Sequence, residues 1–413
     1  MHPEYFDLEN GIRVYLDAVS TVDSCAIGIW VRAGTRDEPK RGDGVAHFVE
    51  HTSFRRTPSR NSTKISRDFE NVGAYVNAYT TKEETCYYVR SLRENVNAVV
   101  TTLADVVLNP LFLPADVEKE RTIITEEIRS YEDEAEEYIF DAAEQQLFGP
   151  HPLGVPIVGT VESVRGITAE DVRAFHNKHY HAGSIAVAVS GAFHRKELQQ
   201  TLEDSLSGAA PRCRLSKRST PVVRTGVHET IHRPNQQAHL LWQCSIPGYR
   251  HEDRYALQIL NVVLGDGMSS RLNVKLRETK GLAYSVYSQV QLFADCGCLS
   301  VYAGVDERKV SRVDSMVRSV IHNLVSDGIR PGELSRAKMQ LRASKLMSLE
   351  SLTARMTMLG KGAMEHGSPE DPYQTIADFT AVTSEDVLRV AQSYLAQDNW
   401  CTFSILPLEE GSK

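Results

Sequence analysis

The chain begins its pattern twice, and this limits its fold more than any other feature. SCAIGIWVRAG (24–34) is a run of apolar and β-branched residues that reads as a strand, and AHLLWQCSIPG (238–248) is a second such run. After each comes a helical stretch, DGVAHFVEHTSFRRT in the first half and DRYALQILNVVLG in the second. Each helix leads to a strand pair, opening near Gly73 and near Gly281. The offset from strand to strand pair is 47 residues from Ala26 to Gly73 and 42 from His239 to Gly281. A helix follows each pair. Two copies of an α+β unit of about 200 residues are therefore expected, each a mixed or antiparallel sheet packed with helices.

Local signals fill in the first copy. Asn10-Gly11 between two extended runs marks a hairpin. Pro110 closes a helix over RENVNAVVTTLADVVLNP, and a long acidic helical stretch with one possible break runs from Leu113 to Gly149. TAEDVRAFHNKHY reads as a helix capped by a threonine, and SIAVAVSGAF as a buried strand. Between about 208 and 225 periodicity lapses into Gly, Pro, Ser and basic residues. The expected division is a first domain at 1–207, a linker at 208–225 and a second domain at 226–413.

Bulk properties exclude some functions. The net charge of -8 argues against a nucleic-acid binder. No apolar run is long enough to span a membrane. The start of the chain has neither a signal-peptide nor a transit-peptide pattern, so a cytoplasmic protein is expected. Seven scattered cysteines argue against a disulfide framework, and the close pair Cys296 and Cys298 reads as two strand residues.

The chemistry is concentrated in HFVEH, residues 47–51. On a helix His47, Glu50 and His51 share one face, while Val45, Phe48 and Val49 turn toward a core. Imidazoles at i and i+4 can hold one zinc ion, and a carboxylate at i+3 is placed to take a proton from water beside it. Catalytic zinc needs a third protein ligand. In EKERTIITEEIRS, Glu120 and Glu127 are seven apart on one helix face, next to Ile123 and Ile124, so both carboxylates are expected on a buried face. Glu126 points elsewhere. His176, His179 and His181 have no interleaved carboxylate and read as capping and packing residues, and His151 sits in a loop. The acidic residues Glu132, Glu134, Glu136 and Glu137 read as helix surface, with attraction of basic peptides as the other reading. The second copy has no His or Glu at the place of HFVEH.

The sequence resembles the pitrilysin/insulysin superfamily of inverted-motif (HxxEH) zinc peptidases, closest to the mitochondrial-processing-peptidase type and its short bacterial relatives. GVAHFVEHTSF, GAYVNAYTTKEETCYYV, EKERTIITEEI, HPLGVPIVGT and LGDGMSSRLNVKLRETKGLAYSV carry the resemblance in the family's order, over nearly the whole chain. It implies one Zn²⁺ per chain held by His47, His51 and Glu127, with Glu50 as general base and Glu120 supporting the site. It also implies that the strand around Asn77 and Ala78 pairs with substrate backbone, and that Arg277 and Tyr284 hold the substrate carbonyl. A chain of this length would form a homodimer, each Arg277 and Tyr284 completing the other chain's site around peptide substrates. Two departures stand out, Thr52 after the second histidine and FRRT in place of an FKGT-like run, and neither falls on a ligand. A non-catalytic scaffold subunit is the competing reading. It is disfavoured because such chains lose at least one member of the ligand and base set, and all four are present here.

Overall fold

The computed structural model describes residues 3–408 apart from 41, 212, 214 and 216. The strands are β1 (Glu4–Asp7), β2 (Arg13–Ala18), β3 (Ser24–Val31), β4 (Tyr75–Thr80), β5 (Thr85–Leu92), β6 (Ile185–Gly191), β7 (His228–Arg233), β8 (Ala238–Ile246), β9 (Ala283–Leu292), β10 (Gly297–Val305) and β11 (Cys401–Pro407). Helices of the first half are α1 (Val45–Ser53), α2 (Ser62–Glu70), α3 (Val96–Leu108), α4 (Pro114–Asp133), α5 (Ala135–Phe148), α6 (Val161–Gly166), α7 (Ala169–His179) and α8 (Arg195–Leu206). Those of the second half are α9 (Arg254–Leu264), α10 (Val310–Asp327), α11 (Pro331–Ser348), α12 (Leu352–His366), α13 (Pro372–Ala381) and α14 (Ser384–Tyr394).

The repeat expected from the sequence is present in the topology. One sheet has the order β1-β2-β6-β3-β5-β4 and the other β7-β11-β8-β10-β9. Without β1 the two orders correspond strand for strand. Each has one parallel pair, β2 with β6 and β7 with β11, and the remaining pairs are antiparallel. The edge strand β4 carries Asn77 and Ala78, and its counterpart β9 carries Tyr284. The hairpin forms at Asn10-Gly11, and the long acidic stretch breaks once, at Glu134.

Two compact units result, and neither is one continuous stretch of chain. The first comprises Met1–Arg129, Pro156–Ser219 and Leu346–Pro372, the second Ser130–Val155, Thr220–Lys345 and Tyr373–Lys413. Each unit thus takes a helical segment from the other half of the sequence. In the first, Met356 and Leu359 of α12 pack with Tyr15, Ala26, Trp30, Cys86, Ala186 and Ala188 on one face of the sheet. The opposite face packs with α1, α3, α7 and α8. In the second, α5 covers one face through Ile139, Ala142 and Ala143, while α9, α10 and α14 cover the other. Burial on both faces explains why β3, β6 and β10 are apolar or small nearly throughout rather than alternating.

Close approach of α12 depends on Gly360, because a Cβ there would lie 2.3 Å from the Trp30 ring. Arg355 completes the attachment, with Nε 2.6 Å and Nη2 2.8 Å from the Asp17 carboxylate, which also accepts the Ser190 hydroxyl. The basic stretch before Thr220 is anchored too: Arg218 bonds Asp37 at 2.6 Å beside the Arg36–Glu83 pair at 2.7 Å, and all four side chains are nearly buried.

Candidate metal centre

α1 begins where glycine is needed. Gly44, its N-cap, has φ of 92°, and a Cβ there would meet the Val158 carbonyl oxygen at 2.9 Å. A glycine offers no capping side chain, so a distant one substitutes. Glu38 accepts the N–H of Gly44 at 3.0 Å and of Ala46 at 2.8 Å. Its burial pushes its carboxyl well above the usual range, opposed by those two bonds. Val45, Phe48 and Val49 are buried in the core as expected, leaving His47, Glu50 and His51 on the other face.

His47, His51 and Glu127 come together with their donor atoms within 4.8 Å of one another. His47 Nε2 lies 3.7 Å from Glu127 Oε1, and His51 Nε2 3.5 Å from Oε2. Ligands about 2 Å from a tetrahedral ion are themselves spaced by roughly 3.3 Å, so these separations suit zinc. Among the described residues this is the only His, Cys, Asp or Glu group that could hold a metal. Burial, with His51 adding to it, lowers the His47 pKa to about 3, which leaves the ring neutral and able to donate a lone pair. Its Nδ1 is buried without a hydrogen-bond partner. His51 Nδ1 is 3.0 Å from Glu120 Oε2, which favours the tautomer that leaves Nε2 free toward Glu127. Burial lowers the His51 pKa, but Glu120, Glu127 and Glu50 outweigh it and the net shift is upward. Burial raises that of Glu120, yet His51 and Arg55 bring it below the ordinary carboxylate value.

Glu50 is raised by burial, and the Thr80 hydroxyl, donating to its Oε2, works against that rise. A carboxylate whose charged form burial disfavours but one hydrogen bond holds suits proton transfer. Thr80 ends β4, so the edge strand reaches Glu50 directly. On that strand Asn77 is exposed, and its own Oδ1 accepts the Ala78 N–H at 2.9 Å. An incoming backbone carbonyl would have to displace that side chain.

One expectation needs correction. Glu120 is buried, but Glu127 is exposed and Ile123 is 45% exposed. The buried stripe of α4 steps from Glu120 through Ile124 to Ile128. Each four-residue step overshoots a full turn by about 40°, so the stripe drifts away from Glu127. The third carboxylate therefore faces the histidines from a partly open side. Sequence reasoning also missed Glu38, Thr80 and Arg55. Thr80 and Arg55 stood in stretches already singled out, NAYT and FRRT, whereas nothing local marks Glu38 as a helix cap.

Arg277 and Tyr284 belong to the second unit, where both line an open cavity of about 1220 Å³ with Asn235, Gln237, Arg308 and Lys309. Tyr284 is the extra residue of a β-bulge: Ser285 pairs with Gly304 and Ala283 with Val305. The bulge re-aims its side chain, which is 81% exposed. The remaining histidines of the first unit's HNKHYH stretch are structural. His176 is buried with Nε2 2.8 Å from the Val107 carbonyl oxygen, and His179 and His181 are buried as well. None of the seven cysteines is in a disulfide, and burial raises the Cys86 and Cys298 thiols far above their usual range. Glu136, read as surface, accepts the hydroxyls of Tyr287 at 3.0 Å and Tyr302 at 3.2 Å.

The structure thus comprises two α+β units of matching topology, one of them with an HxxEH helix facing a glutamate. The chain belongs to the insulinase family, peptidase family M16: that family matches residues 13–161, and the M16 inactive domain matches 166–341. An uncharacterized zinc protease of Mycobacterium leprae is 36% identical over 94% of this chain and 88% of its own length. One from Bacillus subtilis is 32% identical over 95% and 96%. Among solved structures, a peptidase M16 inactive domain from Pseudomonas fluorescens superposes with a TM-score of 0.92 at 20% identity, covering 99% of both chains. No helix among the described residues is long and apolar enough to cross a membrane.

Proposed function

We propose that this chain is a zinc metalloendopeptidase that hydrolyses peptides or unfolded polypeptide segments. The observation that carries the reading is the His47, His51 and Glu127 donor group with Glu50 on the same helix face. Its relatives named as zinc proteases support it. Zinc bound there would supply Lewis acidity, making a water nucleophilic near neutral pH. His47, His51 and Glu127 are the residues that would hold the ion. Glu50, oriented by Thr80, accepts the proton of the attacking water and returns it to the leaving amine. The free edge of β4 aligns the peptide by main-chain hydrogen bonds once Asn77 gives way.

Arg277 and Tyr284 are N–H and O–H donors suited to a developing oxyanion. In this proposal a second copy of the chain brings its pair to this chain's metal, so that a homodimer closes a chamber around two sites. Zinc stoichiometry by elemental analysis, with cleavage of a mixed peptide library before and after chelation, tests the reading. One zinc per chain and chelator-sensitive, zinc-restored cleavage are expected. Cleavage that survives complete metal removal would refute it. A one-chain mass in light scattering at full activity would refute the dimer.

A further inference from the structure

FRRT, the stretch that departs from the family's pattern, lies directly behind the metal helix. α1 ends at Ser53, and Arg55 and Arg56 follow its C-cap Phe54. Both arginines turn to α4. Arg55 Nε donates to Glu120 Oε1, and Arg56 Nε lies 3.1 Å from Asp116 Oδ2. Glu120 and Asp116 are one turn apart on that helix, and both are buried. The opposite oxygen of Glu120, Oε2, is the one beside His51 Nδ1 at 3.0 Å. A single buried carboxylate is thus gripped at one oxygen by a guanidinium and at the other by a ligand histidine.

We propose that Arg55 is a positioning residue of the metal centre, locking the Glu120 carboxylate and through it the rotation of the His51 imidazole. A carboxylate bonded at one oxygen can turn about its last side-chain torsion, which is broad and soft. Bonded at both, it cannot. The ring orientation of a metal-bound histidine is set by the partner of its other nitrogen, and such partners are worth about 10–100-fold in metal affinity. Arg56 serves as the internal control. Its pair with Asp116 joins the same helix one turn away, but neither residue bonds a ligand.

The inference rests on the assignment of His47, His51 and Glu127 as ligands. The test therefore begins with wild-type protein, which should hold one zinc; a chain that holds none overturns both. Zinc release to a chromogenic chelator and the visible absorption of the cobalt-substituted protein are then compared across variants. Arg55→Met should release zinc about 10–100-fold faster and alter the cobalt band. Arg55→Lys, with a point charge in place of the planar group, should fall between it and wild type. Arg56→Met should leave the cobalt band unchanged, whatever it does to the melting temperature. In a Glu120→Gln background, Arg55→Met should add no further acceleration. Equal effects of Arg55→Met and Arg56→Met would reduce Arg55 to general helix docking and overturn the proposal. So would additivity on Glu120→Gln, or a wild-type band in Arg55→Met. Should Arg55→Met fail to fold, Arg55→Lys alone and on Glu120→Gln distinguishes the same outcomes.

Discussion

α1 and α9 occupy the same place in two sheets of the same order, and they have gone opposite ways. α9 buries Leu257, Ile259, Leu260, Val263 and Leu264, and it is tied at its N-cap when Asp253 takes Arg389 and the Tyr394 hydroxyl. α1 buries a comparable apolar side but turns two histidines toward α4 and a glutamate toward the end of β4. The second helix of each pair differs in parallel. α4 and α11 both open on a proline, Pro114 and Pro331. Counted from those prolines, Glu120 corresponds to Ala337 and Glu127 to Ser344. One unit has kept the architecture with small residues where the other holds carboxylates. A fold of this kind does not need the candidate metal site, and the cost of its buried charge is offset by added partners: Arg55 on Glu120, Thr80 on Glu50, and backbone N–H groups on Glu38.

The sharpest way to break this contrast is to remove the third carboxylate. Glu127→Ala should abolish stoichiometric zinc binding by elemental analysis while leaving the melting temperature of metal-free protein close to wild type, because that side chain is partly exposed. A large loss of metal-free stability would mean that Glu127 serves the fold instead. The covering helices of the two sheets offer the next largest effect. Arg355→Met breaks a buried pair with Asp17 and should cost about 3–5 kcal/mol in urea unfolding. Glu136→Gln, at the start of the corresponding helix of the other sheet, disturbs more exposed hydrogen bonds and should cost less. Reversal of that order would show that the two helices are held by different forces than those described.

Thr80→Val should lower kcat by about 10–100-fold, the worth of one hydrogen bond to a charged group, with zinc content unchanged. Unaltered kcat would remove Thr80 from the positioning of Glu50. A further effect is in pH. Burial holds His176 neutral, with a pKa of about 4 against 6.5 for an unhindered histidine. Between those values the unfolded chain binds more protons, so stability is lost as pH falls below 6.5. The slope is about 1.4 kcal/mol per pH unit for one such group. His176→Gln should flatten the acid limb of the metal-free stability curve by that amount; an unchanged limb would assign it to other groups.

Much of this was legible in the residues. His47, Glu50 and His51 follow from helical spacing, and the seven-residue step from Glu120 to Glu127 marked the helix that faces them. The repeat was visible because strands buried on both faces leave long apolar runs. Three things were not legible, each for a physical reason. α5 and α12 cover sheets built mostly from the other half of the chain, and pattern alone does not say which apolar faces will meet. Glu127 lies off the buried stripe because that stripe drifts, which a seven-residue count conceals. Arg55 and Glu38 act across 65 residues of sequence in one case and through a loop in the other, so no local periodicity reports them.

The central claim is that HFVEH supplies two ligands and a base with separable roles. Zinc content and peptide-library cleavage of wild type and Glu50→Gln, measured side by side, test it most directly. Full zinc in both chains, with cleavage lost by about 10²–10⁴-fold in the variant, is the predicted result. Equal cleavage by the two chains would contradict it.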